Sequence, residues 1–331
     1  MKLLEIITNT FHGGELSNEA YHLHSGISGT GLSKIWEKSV KAFLETKRKP
    51  SDALGFGIAS HAAFLEPHLF ASEFYQGFNA ELYPNAMRTQ NDFKDYLSKA
   101  GLKVSGSKAE QIERVKTHAL EVEQNVQIID EMKTEWDAKN KGKTEVSPKN
   151  FSQLGKMRDR IMQDPEVNAV LKGAAIERSI IAKIDYFDEL SEPGDVNKGQ
   201  FIITVKIRPD ILSTRLALVD YKTCTDCFDK FEREIFKFNY DLKMALQHDV
   251  IELVFGRKPQ VILLAQDKLM PSEESNPHEY CPWFLDEHVL ANGRKKYLVA
   301  LKRWVEYKQT GVAVGKGNFG RYASMNKWDE V

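Results

Sequence analysis

The chain has 331 residues, and its 46 Lys and Arg against 47 Asp and Glu leave a formal net charge of -1, so it is no polycation and any nucleic-acid contact must rest on local basic patches. A hydrophobic content of 42% suffices for a sizeable core in one large or two smaller domains. Three cysteines argue against a disulfide framework, the apolar start Met1 to Ile7 is too short for a signal peptide, and no run is long enough to span a bilayer, so a reducing cytoplasm is expected.

In chain order, Ser28 reads as an N-cap before an amphipathic helix carrying Leu32, Ile35, Trp36 and Phe43. His22 and His24 just upstream have no third ligand nearby and read as a polar turn. Around 54–74, small residues (Gly55, Gly57, Ala59, Ser60) lead to His61 in an apolar helix, where a lone histidine is by default a satisfied core residue.

Residues 90–118 read as helix, glycine stop, short loop and second helix, with Gly101 as the C-terminal stop and Ser107 with Glu110 as a capping box. Leu97, Gly101-Leu102, Ser105-Gly106, Lys108-Ala109 and Arg114-Val115 resemble the SAP motif, a small helical DNA-binding hairpin. That resemblance implies phosphate contacts from Lys103, Lys108, Arg114 and Lys116. Residues 119–143 continue as a charged helix or linker ending in Lys139, Lys141 and Lys143.

Ser147-Pro148 starts a helix running to about Asn168, broken at Asp164-Pro165. Ile176 to Ile184 reads as a strand and 190–200 as a polar connection. Ile202 to Ile207 and Leu216 to Val219 flank the turn Ser213-Thr214-Arg215 and read as a hairpin. Residues 226–256 read as a helix burying Phe231, Ile235, Phe238, Leu242, Leu246, Val250 and Val254, with Tyr240, Lys243 and Gln247 on a neighbouring face. A buried strand at 259–265 and a helix at 286–309 with Trp304 complete the readable part, and the tail from Gly311 to Val331 gives no pattern.

The chemistry concentrates at the second run. Asp220 and Lys222 are two apart on a strand and project to one face, where Asp210, across the turn, can meet them. Two carboxylates suit a hard divalent cation such as Mg2+, which polarises a phosphodiester and activates a water. The lysine positions or deprotonates that water and offsets negative charge. Glu177 is either a third carboxylate of the site or an edge-strand acid. Cys224 and Cys227 form a CxxC, but with only Cys281 besides, no four-cysteine site can be completed, and they read as reduced structural thiols.

Pro209-Asp210 followed by Asp220-Tyr221-Lys222 matches the PD-(D/E)XK nuclease signature. Together with Tyr21-His22, Gly26-Ile27-Ser28, Gly57, His61, Leu65-Glu66-Pro67, Glu177, Ser179-Ile180, Arg208, Thr223 and Tyr240, the chain resembles the nuclease domain of the exodeoxyribonuclease VIII (RecE) type. The match covers most of the chain outside about 98–143. It implies an α/β, restriction-endonuclease-like core with a central mixed sheet flanked by helices and a small helical insertion. The corresponding division is 1–88 and 144–331 for the nuclease, 89–118 for the SAP-like insertion and 119–143 for the linker.

By the same resemblance the chain is a Mg2+-dependent exonuclease (Mn2+ substituting) that degrades double-stranded DNA 5′ to 3′. It would leave 3′ overhangs for recombination, act as a ring-shaped homo-oligomer, and work with a single-strand annealing protein. Asp210, Asp220 and His61 would serve the metal, with Glu177 assisting, Lys222 the water, and Tyr240 the helix face; Arg88 is a candidate for a terminal phosphate. The family carries Gln three residues after the tyrosine, where this chain has Lys243, with Gln247 one turn later, so either fills that role. Two other readings stand beside it: an endonuclease or repair nuclease of the same superfamily, and a DNA-binding protein without catalysis.

Overall fold

The structure, a computed structural model, describes residues 1–12, 16–46, 50–268 and 278–315. Most of the unassigned tail, 316–331, therefore lies outside the described residues. The chain forms two compact units, one of 1–57 with 157–331 and one of 58–156. Among the described residues no helix is long and apolar enough to cross a membrane.

The strands are β1 (Lys2–Asn9), β2 (Ile27–Ser28), β3 (Phe74–Gln76), β4 (Thr144–Val146), β5 (Ala175–Ile176), β6 (Ile180–Asp185), β7 (Ile202–Ile207), β8 (Ile211–Leu212), β9 (Ala217–Cys224), β10 (Gln260–Asp267) and β11 (Tyr280–Phe284). The helices begin with α1 (Asn18–Leu23), α2 (Gly29–Glu37), α3 (Val40–Glu45), α4 (Asp52–Leu65), α5 (Pro67–Glu73), α6 (Gln90–Lys99), α7 (Lys108–Glu121) and α8 (Ile129–Lys139). They continue with α9 (Pro148–Met162), α10 (Pro165–Leu171), α11 (Phe187–Leu190), α12 (Phe231–Lys237), α13 (Tyr240–Phe255) and α14 (Glu287–Thr310).

The first unit is built on two mixed sheets, of order β1-β6-β7-β2 and β11-β10-β9-β8-β5. The β9–β10 and β2–β7 pairs are parallel and the others antiparallel. The apolar faces of β6, β7, β9 and β10 and of helices α2, α13 and α14 share one core, which includes Ile184, Val205, Leu218, Leu263, Leu246 and Leu301.

The hairpin differs from its sequence reading. The Ile202–Ile207 run pairs with β6 and β2, not with β9. The partner of β9 is the two-residue strand β8, with Ile211 opposite Val219. Pro209 explains the break: it has no N–H to donate, so the ladder of β7 cannot run through it. The chain turns there and leaves Asp210 between the two sheets' strands. The strand expected over Ile176–Ile184 is also broken, because Glu177 adopts φ +49° between β5 and β6. The 226–256 helix is two helices, separated at Asn239 (φ +51°). That break rotates Phe238 outward, and it is 41% exposed where burial was expected.

The second unit holds a helical hairpin, α6 and α7, packed on Phe93, Leu97, Val115 and Ile128, over the residues read as SAP-like. Ser107 and Glu110 form the expected capping box, and Gly101 ends α6 at φ +69°. The charged stretch after it contains α8.

Helices α13 and α14 touch backbone to backbone at Gly293, where an added Cβ would lie 2.1 Å from the Asp241 carbonyl oxygen. Alanine is the better helix former by about 1 kcal/mol, so propensity alone favours Gly293→Ala. The clash outweighs it, and we expect the substitution to cost at least about 1–3 kcal/mol in chemical denaturation. A variant as stable as the wild type would contradict this packing.

Candidate active site

The site grows from the turn that Pro209 forces. Asp210 is 7% exposed, and its carboxylate accepts a hydrogen bond from the Tyr221 N–H at 2.7 Å. Its backbone carbonyl accepts one from the Glu177 N–H at 3.0 Å. These bonds fix β8, β9 and the Glu177 bend as one frame. Glu177 and Asp210 each offer a carboxylate oxygen, the two within 4.8 Å of one another.

On β9, Asp220 and Lys222 share a face as the strand period requires. Lys222 Nζ pairs with Asp220 at close range and lies 3.9 Å from Asp210 Oδ2. It also donates to the Tyr221 carbonyl at 2.9 Å. Burial alone would lower the Lys222 pKa, but the Asp220 and Asp210 carboxylates outweigh it and hold the ammonium well above the usual lysine range. With its two carboxylate neighbours Lys222 is a charged donor that orients and neutralises.

Tyr240, the first residue of α13, adds an aromatic wall. Its ring centroid lies 5.6 Å from Lys222 Nζ and 5.1 Å from Lys243 Nζ. Burial pushes its phenol up to about 12, against the opposing pull of Lys222, so it stays protonated at neutral pH. Lys243 is set by the start of α2: a Cβ on Gly29 would lie 3.3 Å from Lys243 Cα. Gln247 sits one turn further along α13, with its Oε1 buried and without a hydrogen-bond partner. Asp210, Glu177, Asp220, Lys222, Tyr240 and Lys243 thus belong to one compact unit.

The remaining sequence candidates lie in the second unit. His61 is half-buried on α4. Arg88 donates to the Tyr83 and Ala80 carbonyls at 3.1 and 3.4 Å. Arg114 is folded back onto the α6–α7 loop, donating to the Lys103 and Ser105 carbonyls. Lys108 pairs with Asp130, and Lys116 with Glu131 at 2.8 Å. Lys103 lies on the loop that Arg114 wraps.

Arg208 escaped the site assignment, although it stands in the signature block. It donates to Ser179 Oγ at 2.7 Å and to the Leu16 carbonyl at 2.8 Å, and lies 4.4 Å from the Tyr21 ring centroid. Lys206 donates to the carbonyls of Tyr21, His22 and His24 at 2.8–3.1 Å. The two cations moor the α1–β2 segment to β7. Nothing in the local sequence marks this role, since all the partners are distant in the chain.

The donor set fits a divalent metal. Asp210 and Glu177 offer carboxylate oxygens within 4.8 Å of one another, the hard ligands that Mg2+, Mn2+ or Ca2+ takes, and Asp220 joins Asp210 at the Lys222 ammonium, which offsets part of the negative charge. Fold and site together define a protein of the PD-(D/E)XK nuclease class. Residues 32–316 match the family described as a PDDEXK-like domain of unknown function (DUF3799), and the chain belongs to that family. A crystal structure from Eubacterium rectale, named "Putative exonuclease", superposes with a TM-score of 0.51 at 12% identity, over 94% of this chain and 97% of that one, and so shares the fold. No curated protein matches.

Glu177 reaches the site from a left-handed backbone that costs a non-glycine residue about 1–2 kcal/mol. Glu177→Gly should therefore unfold at the same or higher urea concentration than wild type. Glu177→Val, β-branched and costlier at that φ, should unfold earlier by about 1 kcal/mol or more. Equal midpoints for the three proteins would contradict the strain.

Proposed function

We propose that this chain is a Mg2+-dependent exonuclease of double-stranded DNA, with Mn2+ able to replace Mg2+. It degrades 5′ to 3′ and leaves 3′ single strands for recombination. The observation that carries the reading is that Asp210 and Asp220 both face the Lys222 ammonium, with Glu177 beside Asp210. The sequence resemblance to the RecE type supplies the polarity, the annealing partner and the ring-shaped homo-oligomer, and gives His61 a place beside the metal.

A bound divalent cation would polarise the phosphodiester and lower the pKa of a coordinated water. Asp210 and Asp220 hold that cation in this reading, and Glu177 assists. Lys222 donates hydrogen bonds to the attacking water and to the oxygen on which charge develops. Tyr240 gives a flat, neutral wall, and Lys243 offers an ammonium to a strand phosphate, the role taken by Gln247 if Lys243 proves dispensable. Arg88 is assigned to a terminal phosphate.

Asp220→Ala should abolish Mg2+-dependent nucleotide release while leaving duplex binding largely in place. On a linear duplex the wild type should release a 5′ label before a 3′ label and leave a covalently closed circle intact. Unchanged activity in Asp220→Ala would refute the site, early release of the 3′ label would refute the polarity, and cutting of the closed circle would favour an endonuclease.

The SAP-like hairpin is assigned to DNA binding through Lys103, Lys108 and Lys116. The pairs of Lys108 with Asp130 and of Lys116 with Glu131 are exposed and worth at most about 1 kcal/mol each, so phosphates can compete for these lysines. Arg114 serves the loop instead. Replacing the three lysines with alanine should lower the slope of log affinity against log salt by about 3. An unchanged slope would make the hairpin purely structural.

A further inference from the structure

The start of α13 is held by side chains of α2 and α14. Asn239 is 3% exposed and sits in the left-handed region, where its side chain makes no helix cap. Instead its Nδ2 donates to Glu37 Oε1 at 2.6 Å, and its Oδ1 accepts from Lys296 Nζ at 3.3 Å. Asp241 is fully buried, and its Oδ2 accepts from Lys296 Nζ at 2.8 Å and from Asn292 Nδ2 at 2.7 Å. One ammonium on α14 thus grips the residue before Tyr240 and the residue after it.

Successive helical residues point about 100° apart, so fixing 239 and 241 also fixes where 240 projects. Tyr240 projects to Lys222, and Lys243 follows one turn later against the same ring. The clamp is a costly way to secure stability alone. A buried ion pair is commonly no better than a well-packed apolar pair, and here the second oxygen of Asp241 is buried without a partner. What the polar clamp supplies is a single orientation of the helix start.

We propose that Lys296, acting through Asn239 and Asp241, is a positioning residue for the substrate-binding face made by Tyr240 and Lys243. The inference rests on the reading of that face as a DNA contact. The experiment uses the full chain and three changes: Lys296→Met with Asp241→Leu, which removes both charges at similar volume; Asn239→Gly, which keeps the left-handed backbone and loses the side-chain bonds; and Tyr240→Ala with Lys243→Ala. KM and kcat for Mg2+-dependent digestion of a linear duplex are measured beside the melting temperature, with the first two changes made in both the wild-type and the Tyr240→Ala/Lys243→Ala background.

In the wild-type background the charge-pair change should raise KM about tenfold with kcat within about twofold, at a melting temperature within a few degrees. In the Tyr240→Ala/Lys243→Ala background it should change KM by less than about twofold, because the groups it positions are already gone. If the charge-pair variant fails to fold, Asn239→Gly carries the same expectations. A wild-type KM in the clamp variants while Tyr240→Ala/Lys243→Ala is impaired would overturn the proposal, as would equal effects in both backgrounds. A wild-type KM in Tyr240→Ala/Lys243→Ala would overturn the reading of the face itself, and the clamp's role with it.

Discussion

Two aspartates, Asp210 and Asp220, are brought to one place, and the Lys222 ammonium lies against both. Like charges brought together in a partly buried setting repel, and an opposite charge beside them offsets that cost. Lys222 is that charge before any cation arrives. The surrounding architecture serves this arrangement: Pro209 ends β7 and turns the chain, the short β8 pairs with β9, and the Tyr221 N–H fixes the Asp210 carboxylate. A metal entering such a site does not create its order. A divalent cation held by the aspartates would share the neutralising role that Lys222 fills, and Lys222 could then donate to a water.

The parts of this design that were legible in the sequence are those set by local rules. The two-residue period puts Asp220 and Lys222 on one face, and that is where they are. Ser28 and Ser107 cap α2 and α7 as their neighbours suggested. The parts that were hidden depend on distant partners or on unusual backbone. Nothing local announces that Glu177 turns left-handed so that its N–H meets the Asp210 carbonyl, or that Asn239 does the same and splits one long helical pattern into two. A proline after a β-branched run was the one available signal that Ile202–Ile207 and Leu216–Val219 belong to different ladders.

The helical hairpin of the second unit gives a similar lesson about charge. Arg114 is spent on the loop carbonyls of Lys103 and Ser105, and Lys108 and Lys116 face acids on α8. Place in the hairpin does not settle a cation's role: the acceptors around Arg114 belong to the loop, while the acids facing Lys108 and Lys116 are exposed and can give way to a phosphate.

Calorimetric titration of divalent cation is the most direct test of the account, because it reads the carboxylates without any DNA. Mn2+ should bind the wild-type chain, and the same titration of an Asp210→Asn/Asp220→Asn chain that melts normally should give no saturable heat. Equal binding by both proteins would mean that the cation sits elsewhere and that these aspartates are only the counter-charges of Lys222.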